Sequence, residues 1–131
     1  MIIDQNLMDS LSRQAKESPR LRQAFDLRTT PDDQSQRMLN ALEPGTIMPI
    51  HRHRNTSETM VMIKGKLIER FYDDDGNITE EFVLEPCGQY PMVQIEAGQW
   101  RSLEVLEEGT VIFEAKDGAY VPLTEEDIIN E

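Results

Sequence analysis

The stretch Gly45-Thr46-Ile47-Met48-Pro49-Ile50-His51-Arg52-His53-Arg54-Asn55-Thr56-Ser57-Glu58-Thr59-Met60-Val61-Met62-Ile63-Lys64-Gly65 decides how this chain is read. It holds both histidines of the sequence, His51 and His53, one residue apart. On an extended segment that spacing puts both imidazoles on one face. Glu58 opens a run that, as a strand, turns Glu58, Met60 and Met62 to one face and Thr59, Val61 and Ile63 to the other. One carboxylate can then face two imidazoles across a turn. Two neutral ring nitrogens and a carboxylate suit a divalent transition metal, with iron, zinc, nickel and manganese all compatible. The residue types alone leave a second reading open, with the two histidines on the surface beside Arg52 and Arg54 and Glu58 as a neutralising charge.

Outward from this stretch, short apolar runs punctuated by Gly, Pro and Asp predict strands near 36–42, 46–50, 58–64, 66–72, 78–84, 90–96, 100–106 and 110–115. Many short strands with little helix among them predict an all-β fold, an antiparallel sandwich or barrel. Lys64-Gly65-Lys66 and Asp75-Gly76-Asn77 read as hairpin connections, because Gly supplies the positive φ of a tight turn. Upstream, Ile3, Leu7, Leu11 and Ala15 recur every four residues and predict an amphipathic helix over 3–17, stopped at Ser18-Pro19. Leu21 to Phe25 reads as a further helical turn, and Thr29 to Asp33 as a loop. Thr124 before Glu125, Glu126 and Asp127 resembles a helix N-cap, giving a short C-terminal helix or a frayed acidic end. The expected organisation is one domain: an N-terminal helix and loop over 1–35, a barrel over 36–121 and an acidic tail over 122–131.

Thirteen Lys and Arg against 25 Asp and Glu give a net charge of −12. Such a balance opposes binding to phosphate backbones, and no basic cluster with interleaved aromatics offsets it. No apolar run approaches the roughly 20 residues that span a bilayer. The start, Met1-Ile2-Ile3-Asp4, lacks the basic and apolar regions of a signal peptide, so the expected location is the cytoplasm. Cys87 is the sole cysteine, which excludes an intramolecular disulfide and a cysteine zinc cluster, and it reads as a buried or half-buried thiol.

The order Gly45, five residues, His51-Arg52-His53, four residues, Glu58, six residues, Gly65 resembles the first motif of the cupin superfamily at every fixed position. Arg20-Leu21-Arg22, Gln36 to Leu42, Pro44-Gly45-Thr46 and Ala97-Gly98-Gln99-Trp100 extend the likeness over most of residues 3–121 and resemble the WbuC-type cupin-fold metalloproteins. The resemblance implies a jelly-roll β-barrel holding a metal through His51, His53 and Glu58. It also implies a setting in bacterial surface-polysaccharide metabolism.

One position departs from the pattern. Three residues after Gly98, where the superfamily supplies a fourth histidine ligand, stands Arg101. Alternation turns Arg101 inward with Leu103 and Val105, beside Glu58. A guanidinium carries no lone pair and cannot serve as a ligand. The metal can then remain on three ligands, with water, Gln94 or a substrate oxygen completing the shell. Alternatively, Arg101 pairs with Glu58 in the metal's electrostatic place, or its fork binds a substrate carboxylate or phosphate. The candidate substrate-binding residues are Arg101, Met60, Met62 and Gln94.

Trp100 reads as packed, with a sugar-stacking platform as the alternative. Arg37 and Asn40 read as strand exterior or loop anchors. No side chain stands out by spacing as a general base, Tyr90, Tyr120 and the carboxylates being the remaining candidates. The functional readings are a metal-dependent enzyme on a sugar or other small polar molecule, a non-catalytic small-anion-binding protein, and a structural barrel. A homodimer is expected under all three, since exposed sheet edges seek cover.

Overall fold

A computed structural model describes residues 1–129 of the chain. The helix α1 (Gln5–Glu17) begins at Asp4, whose carboxylate accepts the Leu7 N–H at 2.9 Å, and ends at Ser18, before Pro19. Ten strands follow: β1 (Arg22–Asp26), β2 (Gln36–Leu42), β3 (Ile50–His51), β4 (Glu58–Lys64), β5 (Leu67–Tyr72), β6 (Ile78–Leu84), β7 (Met92–Ile95), β8 (Trp100–Val105), β9 (Thr110–Lys116) and β10 (Ile128–Ile129). They form two five-stranded antiparallel sheets, ordered β1-β2-β9-β4-β7 and β10-β3-β8-β5-β6. This is the expected all-β architecture with a short N-terminal helix. Among the described residues no helix is long and apolar enough to cross a membrane.

Period-two alternation sorts the side chains. On β2 and β9, Leu39, Ala41 and Val111 turn outward and bury Leu11 and Ala15 of α1, with Leu7, Met8, Phe25 and Phe113 around them. Leu42, Met60, Met62, Leu67, Leu84, Leu103, Val105 and Ile112 fill one end of the barrel as a continuous apolar core. At the other end the same inward faces carry His51, Glu58, Glu69 and Arg101, all buried. The barrel therefore has an apolar floor and a charged upper half.

Four expectations are corrected. The strand expected over 46–50 is confined to Ile50–His51, since Pro49 has no N–H to offer a ladder. Leu21 to Phe25 is not a helical turn: Arg22–Asp26 is strand β1, which pairs with all of Met38 to Leu42, because the turn at Ser18 to Leu21 redirects the chain onto the open edge of β2. The sheets thus begin ahead of residue 36. Within the expected tail, a 3-10 turn Glu125–Asp127 follows Thr124, which makes no side-chain cap, and β10 then pairs with β3. Residues 130–131 of that tail lie outside the described residues. Cys87 is exposed, in the turn between β6 and β7 at φ +60°.

Candidate functional site

The charged half of the barrel opens into a cavity of about 640 Å³ lined by His51, His53, Glu58, Arg101, Glu114 and Lys116, and also by Gln36, Met38, Asn40, Arg22 and Arg20. Four strands deliver the inner group. His51 of β3 is the cross-strand partner of Arg101 on β8, and Glu58 of β4 is the partner of Lys116 on β9. Glu114 lies opposite Met60, so Glu58 and Glu114 are diagonal neighbours on one inward face.

Arg101 is 2% exposed and its guanidinium is fully engaged. Nε donates to Glu69 Oε1 at 2.6 Å and Nη2 to Oε2 at 2.9 Å, a bidentate fork, while Nη1 stands 3.7 Å from Glu58 Oε2. Nη2 also reaches Met60 Sδ at 3.9 Å. One buried cation thus holds two buried carboxylates, on β4 and β5, which belong to different sheets.

Both imidazoles are neutral at pH 7. Burial, then the Arg101 charge, pushes the His51 pKa down to about 4, and burial with Lys116 does the same for His53, also to about 4. The His51 Nδ1 lies 2.8 Å from the Pro49 carbonyl, which can only accept, so Nδ1 carries the proton and Nε2 keeps its lone pair. The rings meet edge to face with centroids 5.2 Å apart.

Glu58 and Glu114 form an unequal pair. Burial raises the pKa of Glu58, but Arg101, then Lys116 and Glu114, outweigh it and hold the carboxyl below its ordinary value. Burial and the neighbouring Glu58 charge push Glu114 up to about 7. Both Glu58 oxygens are buried without a hydrogen-bond partner, while Asn40 Nδ2 donates to Glu114 Oε2 at 2.8 Å. A carboxylate beside a carboxylic acid can accept one proton and donate another across a bound hydroxyl group.

The side chains as arranged do not fit a metal centre. Among the described residues no three His, Cys, Asp or Glu side chains are gathered as metal ligands, although His51, His53 and Glu58 line one cavity. Glu58 faces the Arg101 guanidinium, and a divalent ion on the same carboxylate would sit beside that fixed charge.

Of the expected substrate contacts, Arg101 lines the cavity but is already paired. Met60 and Met62 are 0% and 4% exposed and belong to the apolar floor, below the lining. Gln94 is a correction: it is exposed on the outer face of β7, accepting from Thr59 Oγ1 at 2.6 Å, because alternation gives the inward place to Ile95. Trp100 is packed under the Arg52 guanidinium at 4.4 Å, with Nε1 donating to Asp74, and is not a cavity platform. Arg37 anchors a loop through Asp33 at 2.7 Å, whereas Asn40 faces inward, against expectation. Tyr120 lines the cavity; Tyr90 packs on Phe82.

Sequence reasoning missed Glu69, Glu114 and Lys116. With 25 acidic residues present, a single Glu is inconspicuous. The available signal was an ionisable residue at an inward position of an apolar run, as in Leu67-Ile68-Glu69 and Ile112-Phe113-Glu114-Ala115-Lys116.

Residues 3–84 match the family model described as "Domain of unknown function (DUF6016)". No curated protein matches the chain in sequence. Among solved structures, KdgF from Halomonas sp. superposes with a TM-score of 0.63 at 14% identity, covering 79% of this chain and 84% of that one. The capsular polysaccharide assembling protein CapF from Staphylococcus aureus gives 0.60 at 22% identity, covering 76% of this chain and 27% of its own. A mutant of Bacillus subtilis oxalate decarboxylase gives 0.58 at 21%, with coverages of 75% and 25%. The chain spans about a quarter of these last two. At such identities the likeness shows the fold alone, a cupin barrel.

Proposed function

The chain belongs to the DUF6016 family, and from the cavity in its barrel we propose that it binds a small polar molecule, a sugar or similar hydroxylated compound, without a metal ion. The observation that carries this reading is Arg101, buried on Glu69 and Glu58 at the position where the superfamily pattern supplies the fourth ligand. Its charge does the electrostatic work of an ion, holding carboxylates together inside the barrel.

What remains facing the cavity suits hydroxyl groups. The His51 Nε2 lone pair and the unpartnered Glu58 carboxylate accept, while Lys116 donates. The resemblance to WbuC-type chains and the fold likeness to CapF, a capsular polysaccharide assembling protein, support placing the ligand in surface-polysaccharide metabolism. Cytoplasmic location and homodimer formation belong to the same reading.

The test has two parts. Tag-free protein incubated with iron, zinc, nickel and manganese, then desalted, is expected to retain no stoichiometric metal. Near-stoichiometric metal that is lost in His51→Ala would replace this reading with the metal-dependent one. In parallel, galactose at millimolar concentration is expected to shift the ring resonances of His51 and His53; unchanged rings throughout the titration would remove the cavity as a sugar site.

A further inference from the structure

Of the thirteen Lys and Arg side chains, nine lie within 4.0 Å of a carboxylate: Lys16, Arg28, Arg37, Arg52, Arg54, Lys64, Lys66, Arg70 and Arg101. Among the described residues, four form no such pair: Arg13, Arg20, Arg22 and Lys116. Carboxylates outnumber cations by 25 to 13, so an unpaired cation is against the odds of this composition. Three of the four line the same cavity.

Arg20 and Arg22 stand together where the chain enters β1. Leu21 between them has φ +55°, a left-handed conformation that a branched side chain adopts at a cost of about 1–3 kcal/mol. Three contacts impose it: the Leu21 N–H donates to the Ser18 carbonyl at 3.0 Å, the Leu21 carbonyl accepts the Glu43 N–H at 3.0 Å, and the Thr46 hydroxyl donates to the Arg20 carbonyl at 2.8 Å. The backbone beneath the two guanidiniums is therefore fixed. Burial and the Arg20 charge both weaken the hold of Arg22 on its proton, and Glu114 offsets this only in part. Arg20 and Arg22 thus flank a strained, anchored turn and both line the cavity.

We propose that Arg20 and Arg22 form an anion cradle, and that the small molecule bound in the barrel carries a carboxylate or phosphate group which these two arginines receive. The inference rests on the cavity being a small-molecule site and adds the chemical class of the ligand. Guanidiniums present donors in a planar fork that matches either oxyanion. The hydroxylated part of the ligand then extends inward over Asn40 and Gln36 toward the histidines. Lys116 lies at the far end of β2, opposite Gln36, whereas Arg22 lies opposite Leu42, so the cradle and the Glu58–Glu114 pair mark the two ends of one trough.

The test is binding of galactose, galacturonate and glucose 6-phosphate to the full chain, followed by the ring resonances of His51 and His53 and by melting temperature. Galacturonate or glucose 6-phosphate is expected to bind at least about tenfold more tightly than galactose, and whichever is tighter identifies carboxylate or phosphate. In the Arg20→Gln, Arg22→Gln double variant, with a cooperative melting transition showing that it is folded, that advantage disappears. Arg13→Gln, which removes an unpaired cation away from the cavity, keeps the advantage. Equal binding of galactose and both anions, indifferent to the double variant, would overturn the cradle and leave the sugar site standing. Absence of binding by all three would overturn both.

Discussion

Arg101 shows how one side chain can redirect a site. With Glu69 fully buried and Glu58 at 2% exposure, removing the guanidinium leaves Glu69 without a counter-charge in the barrel and Glu58 with Lys116 alone. Breaking such a pair from one side costs about 3–5 kcal/mol, so Arg101→Ala is expected to lower the denaturation midpoint by that equivalent, or to fail to fold. The double variant R101H with E69Q takes away both charges of the fork and supplies an imidazole opposite His51. It is expected to gain near-stoichiometric zinc or nickel by elemental analysis where the parent chain retains none. Titration offers a second check. His51 and His53 stay neutral down to about pH 4 in the folded chain, whereas an unfolded imidazole protonates near 6.5, so acidification through this window favours the unfolded state. Glu114 acts oppositely, keeping its proton up to about pH 7 when an unfolded Glu has released it. The two rings therefore pull stability down on acidification from pH 7 to 5, and Glu114 pulls it up. In Glu114→Gln the opposing contribution is gone, and the decline over the same range becomes steeper in pH-dependent melts.

At the level of elements, turns and strands were read from different signals with different success. Gly65 joins β4 to β5 at φ +83°, and a Cβ there would meet the Thr110 Cα at 2.6 Å, an encounter with backbone. Gly98 has φ +85° and nothing within 4 Å of the same position. Gly65→Ala is therefore expected to cost several kcal/mol and Gly98→Ala only about 1 kcal/mol of conformational strain, measured by chemical denaturation. Strand β4 of the quoted stretch was legible because alternation there is regular and ends at Gly65, whereas the strand expected over 46–50 is confined to Ile50–His51. β1 was not legible, since Arg22-Gln23-Ala24-Phe25-Asp26 holds only one large apolar residue, and its identity as a strand comes from pairing with β2. The same limit applied to the site. His51, His53, Glu58 and the inward turn of Arg101 follow from local spacing, whereas Glu69 and Glu114 become partners only through cross-strand register. The arginine's commitment to Glu69 could not be read from either residue's neighbours in sequence.

Across the whole molecule, the outer strands β6 and β7 and the connection between them leave Ile78, Val83, Tyr90 and Met92 between 42% and 52% exposed. Open edges with apolar side chains favour association, and a homodimer is the expected species in sedimentation at micromolar concentration. Val83→Asp combined with Met92→Asp is expected to shift it to monomer without loss of the melting transition. The net charge of −12 sets a second large-scale property. An anion approaching the rim crosses a repulsive field, so its association rate should rise with ionic strength, as stopped-flow measurements can follow. The buried guanidinium adds something of another order. A cation that is part of the polypeptide arrives with translation, needs no loading, and cannot be stripped by a chelator or exchanged for a competing ion. On the metal-free reading proposed above, a barrel balanced in this way is complete as soon as it folds, and it stays so in a cell starved of iron or flooded with zinc.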